Sequence, residues 1–130
     1  MTKYLKHYWK DGNSGEWLTT SNIVGHRHPE AEYAGLDVGI WMHDSDGVDV
    51  CLSKVPDSTA ISTVTVGSKN AVIEVTETQF NSIKTLIDEE QVLRGEAADA
   101  RAADDSSTQA TKTSEADAKA TEAQNALNAL

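Results

Sequence analysis

The residues best suited to chemistry cluster at His26-Arg27-His28-Pro29-Glu30-Ala31-Glu32, with Gly39 following. His26, His28 and Glu32 stand in the spacing H-x-H-x3-E. Two imidazoles and a carboxylate make an N/O donor set that suits a divalent metal. A second group, Asp44-Ser45-Asp46-Gly47-Val48-Asp49, begins like a calcium loop. An EF-hand places Gly sixth and Glu twelfth; here Gly is fourth and Val55 is twelfth, so a hairpin turn is the expected reading. Cys51 and His43 could face each other across that hairpin as nucleophile and base. No acid is spaced to orient them, and a mid-strand Cys behaves as a small hydrophobe. Tyr4, Tyr8, Trp9 and Trp17 gather near the N-terminus and are expected in a core or a partner interface.

The His26/His28/Glu32 spacing resembles the first metal motif of the cupin β-barrels. Cupins carry a glycine six positions before the first His, where this chain has Thr20. Their second motif needs a further His, and none follows His43. A working site needs its full ligand set. The three residues therefore rank as weak metal candidates, and no cofactor and no catalytic residue is expected.

Elements that would position these groups follow from pattern. Strand signals run through Thr2–Trp9 and Glu16–Thr20, separated by a turn cluster at residues 10–15. Leu36–His43 and Val48–Val55 form the clearest hairpin, because Asp46-Gly47 readily supplies positive φ. Val48, Val50 and Leu52 share one face of the second strand. Ile61–Val66 and Ala71–Thr76, joined by residues 67–70, read as a further hairpin. At Thr76 the period changes. Thr76 or Thr78 can cap a helix in which Phe80, Ile83 and Ile87 form an apolar stripe. That helix is expected over 77–94, with Gly95 as C-cap or joint.

The 130 residues divide by composition. All seven aromatics precede residue 81, and the last 36 residues hold 12 Ala with Leu127 and Leu130 as their only large apolar side chains. The fold class expected is α+β: residues 1–94 form a small antiparallel β-rich head, a sheet, sandwich or barrel, with one packed helix. Residues 95–130 form an extended Ala-rich helical arm with a polar break near 104–114. Ala116, Ala120, Ala123, Leu127 and Leu130 are spaced 4, 3, 4 and 3, an a/d seam. Such a seam cannot offset its own ordering entropy, so it needs the head, a copy of itself or another chain to pack on. The partner-binding set is thus Tyr4, Tyr8, Trp9, Trp17 and the five seam residues.

Charge excludes some partners. The net charge is −10, spread as −6 over residues 1–94 and −4 over residues 95–130. Phosphate attraction needs a basic face, so neither nucleic acid nor anionic membrane is expected as a partner. No apolar run approaches the ~20 residues of a membrane span, no secretory signal is visible, and one Cys precludes an internal disulfide.

The segments 40–57 (IWMHDSDGVDVCLSKVPD), 75–81 (VTETQFN) and 114–119 (SEADAK) resemble small proteins of tailed marine cyanophages. The resemblance implies an accessory virion (structural) protein and transfers no active site. The resemblance does not say which part of the particle; the acidic charge fits an exterior position better than one facing packaged DNA, so a capsid decoration (cement-type) protein, made in the host cytoplasm and facing the virion exterior, is expected. Its partners would be the major capsid protein or neck and tail proteins, with several copies or a homo-oligomer in the particle. The alternatives are a neck, tail or fibre-attachment component, a degenerate cupin-like metal-binding protein, and a regulatory protein absent from the particle.

Overall fold

The computed structural model describes residues 2–8, 38–57, 61, 65–66 and 69–130. The strand expected over 16–20, and Trp9, Trp17, His26, His28 and Glu32, lie outside them. The fold is α+β. It comprises β1 (Thr2–Tyr8), β2 (Val38–His43), β3 (Asp49–Pro56), β4 (Thr65–Val66), β5 (Lys69–Asn70), β6 (Val72–Val75), α1 (Glu77–Ala102) and α2 (Ser106–Asn128). Two compact units result, Met1–Phe80 and Asn81–Leu130.

In the first unit, four antiparallel strands form a sheet in the order β2-β3-β1-β6. The β2–β3 hairpin matches its sequence signals. Gly47 N–H donates to the Asp44 carbonyl at 3.0 Å and Asp44 N–H to that of Val48 at 2.9 Å. Gly47 takes φ +79°, the left-handed position that ends a three-residue hairpin loop. Strand β3 is buried on both faces: Val50 and Leu52 on one, Cys51, Ser53 and Val55 on the other. That is more burial than the alternation of a one-sided strand predicts.

The second expected hairpin takes a different form. Val72–Val75 pairs with β1, with Tyr4 opposite Val75 and His7 opposite Val72. The pairing between β4 and β5 is Thr65 with Asn70 and Val66 with Lys69, so residues 69–70 are themselves strand. Strand β6 thereby joins the larger sheet, where its apolar residues gain more burial than a two-stranded hairpin provides.

Helix α1 opens on a reciprocal cap. Gln79 N–H donates to Thr76 Oγ1 at 3.0 Å, and Thr76 N–H donates to Gln79 Oε1 at 2.9 Å. Thr76, not Thr78, is therefore the cap. Phe80, in the first turn, lies against Tyr4 with ring centroids 4.9 Å apart at 44°.

The second unit is an antiparallel helical hairpin. Helix α1 continues to Ala102 where residue 94 was expected to end it, and Gly95 sits in its interior. A mid-helix glycine costs about 1 kcal/mol relative to alanine. Cross-helix ion pairs bracket it: Arg94 reaches Asp117 at 3.2 Å and Glu96 meets Lys112 at 2.9 Å. Glu89 and Lys119 add a third at 2.9 Å. Each exposed pair is weak, but together they set one antiparallel register.

The break is confined to residues 103–105, much shorter than the 104–114 stretch expected. Asp105 N–H donates to the Ala100 carbonyl at 2.8 Å and Asp104 N–H to that of Arg101 at 3.1 Å, a Schellman closure. Asp104 occupies the left-handed position at φ +56°, which short polar side chains tolerate. Asp105 then caps α2, accepting from Thr108 N–H at 3.1 Å and from its hydroxyl at 2.7 Å. Ser106 onward is helical because this cap satisfies the donors that Ser and Asp otherwise capture in turns.

Candidate functional site

Among the described residues of the first unit, two polar clusters stand out. Asp44 opens the β2–β3 turn, and its buried carboxylate collects four donors. Oδ1 accepts the N–H groups of Asp46 and Val48, both at 2.9 Å. Oδ2 accepts the Tyr8 hydroxyl at 3.0 Å and the Lys69 ammonium at 2.8 Å. Lys69 also donates to Asp46 at 2.6 Å. Burial alone would push the Asp44 carboxyl up, but Lys69, Val48 N–H, Tyr8 and Asp46 N–H together outweigh it and hold it at about 2. The Lys69 ammonium is held protonated far above its usual range, chiefly by Asp44 and then Asp46. The ammoniums of Lys6 and Lys69 each lie 5.8 Å from the Tyr8 ring centroid. A lysine so protonated is no nucleophile. It occupies the place between Asp44 and Asp46 that a cation would take, and joins the turn to β1 and β5.

The second cluster lies on the opposite face of β1. His7 Nε2 and Ser53 Oγ are hydrogen-bonded at 2.8 Å, and Cys51 Sγ lies 3.3 Å from Ser53 Oγ. All three are buried, His7 to within 1% of full burial. The base opposite Cys51 is therefore His7, which is also its register partner. His43 instead pairs with Asp49 at 3.0 Å, while Trp41 is the β2 partner of Cys51. His7 was legible only as the alternate position after Leu5 on an apolar strand face.

Burial pushes the His7 imidazole down to about 4. Its folded value lies below the unfolded ~6.5, so the unfolded chain binds the extra proton between those values. Stability from neutral His7 is complete above pH ~6.5 and is lost as pH falls towards 4. Chemical denaturation at pH 7.5 and pH 5 should show about 2 kcal/mol less stability at pH 5 from this group. His7→Gln should flatten that difference by the same amount; an unchanged pH slope would refute it.

Among the described residues, no three His, Cys, Asp or Glu side chains converge as a metal site. His26, His28 and Glu32 lie outside those residues, as do Trp9 and Trp17. Tyr4 and Tyr8, expected in a core or a partner interface, are engaged within the first unit by Phe80 and Asp44. Of the helical seam, Ala116, Ala123 and Leu127 are buried within the chain, and Ala120 and Leu130 are half-buried. The seam thus closes an intramolecular surface, where small residues allow close approach.

Among the described residues, one open feature is a groove of about 500 Å³ on the hairpin, between α1 and α2. Thr85, Asp88, Glu89, Val92 and Leu93 line it from α1, with Glu115 and Lys119 from α2. Val92 is 61% exposed there. Positions 85, 88/89 and 92/93 share one helix face, so the stripe follows from helical spacing. Val92 was not singled out in the sequence because one valine among acidic neighbours carries no pattern.

Compared with known proteins, the chain matches no family model, no curated protein and no solved structure. No helix among the described residues is long and apolar enough to cross a membrane.

Proposed function

We propose that this chain is a non-catalytic accessory virion protein, a decoration protein that binds the exterior of a tailed-phage shell in many copies. One contrast among the described residues carries the reading. There, the polar groups suited to chemistry are engaged in structural bonds, Asp44 by four donors and His7 with Ser53 in the sheet, whereas the hairpin leaves an apolar groove open to solvent. Buried polar groups bonded to one another stabilise a scaffold; exposed apolar grooves serve protein recognition. The resemblance of residues 40–57 to cyanophage proteins supports the same reading. The charge of −10 suits an outward-facing surface, away from packaged phosphates.

Mass spectrometry of gradient-purified virions tests this. The chain should be present in proportion to the shell protein. A few copies per particle would favour a neck or tail position, and absence from particles would overturn the proposal.

A further inference from the structure

The groove on the hairpin is specific in its chemistry. Its apolar residues, Val92 and Leu93, lie among Asp88, Glu89 and Glu115, with Lys119 as the one cation lining it. That cation is already matched, 2.9 Å from Glu89 and 4.0 Å from Glu122. Lys84 is likewise held by Asp88 at 2.7 Å. Lys112 lies 4.0 Å from Glu115 but is held closer, at 2.9 Å, by Glu96. Five carboxylates, Asp88, Glu89, Glu96, Glu115 and Glu122, thus share three lysines, which leaves surplus negative charge along the apolar strip. Across residues 81–130 ten acidic groups face five basic ones. A second copy of the hairpin would set carboxylate against carboxylate, which disfavours self-docking.

We infer that this groove takes an amphipathic helical segment of a different protein, with bulky apolar anchors flanked by Lys and Arg. Thr85 to Val92 spans about 10 Å, two helical turns, so two or three anchors at i, i+3 or i+4, and i+7 spacing would fill it. Removing Val92 and Leu93 from water supplies affinity, while the acidic rim selects the basic partner and orients it. The inference rests on reading the chain as a protein-binding component and names the chemistry of what it binds.

The test uses the full chain and a synthetic 18-residue peptide with leucines at i, i+3, i+4 and i+7 and lysines elsewhere. Amide NMR shifts should localise to residues 85–93 and 115–119. Val92→Asp should weaken binding about tenfold or more while lowering the thermal melt by only a few degrees, since Val92 is largely exposed and the new carboxylate meets Asp88 and Glu96 one turn away. Val92→Ala, a milder change, should weaken it less. The same peptide with glutamates for lysines should bind at least about tenfold more weakly. Shifts scattered over the acidic surface, equal binding of the two peptides, or no effect of either Val92 variant would each overturn the inference. Sedimentation showing a dimer that Val92→Asp abolishes would overturn it in favour of a second copy. Peptide binding by a chain absent from virions would leave the groove standing and remove the virion reading. A chain present in virions whose groove ignores the peptide would do the reverse.

Discussion

Phe80→Ala is expected to cost about 3–5 kcal/mol, the largest single-residue loss in the described structure. Phe80 is 2% exposed and packs its ring on Tyr4 at 4.9 Å, next to the Thr76/Gln79 cap. Truncation removes most of an aromatic side chain from the core and leaves a cavity that a capped helix start is poorly placed to collapse into. The tilted ring pair adds about 0.5–1.5 kcal/mol beyond area burial. Thermal melting should fall by roughly 10–20 °C. Phe80→Leu, which refills much of the volume, should recover more than half of the loss. A loss below about 1 kcal/mol for the alanine variant would show that the ring does not close this core.

The second large effect is at Asp44. Asp44→Ala is expected to cost about 2–4 kcal/mol, because four donors lose their acceptor at once and the Tyr8 hydroxyl is left buried. Asp44→Asn should cost roughly half as much. Its amide oxygen can still accept Asp46 and Val48 N–H, but its NH2 group would face the donors Tyr8 and Lys69. The pH dependence follows from the lowered carboxyl. Folded Asp44 titrates at about 2, below its ordinary value of 3.8. Its stabilisation is therefore full above about pH 4 and is lost as pH falls through 2. Denaturant titrations of the wild type at pH 6, 3.5 and 2.5 should show this acid loss, and Asp44→Ala should lack it. An acid slope identical in both proteins would mean the carboxylate is not the group that titrates.

These two residues differ in how far the sequence exposes them. Phe80 belongs to a stripe with Ile83 and Ile87, and that stripe alone marks it as a helix residue facing a core. Asp44 is visible only as the first residue of an Asp-Ser-Asp-Gly turn. That position accounts for its bonds to Asp46 and Val48 N–H, which are local. Its bonds to Tyr8 and Lys69 cross 36 and 25 residues, and no local pattern encodes them.

The same division runs through the chain. Sequence by itself determined the β2–β3 hairpin, through Asp46-Gly47 and flanking β-branched residues, and the start of α1 to within Thr76 or Thr78. It determined that α2 has an alanine and leucine seam in need of a partner, and that acidic charge covers both parts. These properties act within about four residues, over hydrogen bonds and side-chain spacings the chain carries locally. Only the tertiary structure decided that Val72–Val75 joins β1, that His7 and not His43 stands opposite Cys51, and that the seam is covered inside the chain. It also let α1 run through Gly95, because ion pairs from α2 bracket a residue whose own propensity disfavours helix. Such choices compare partners far apart in sequence. They are settled by how much apolar surface each pairing buries, a quantity no local spacing contains.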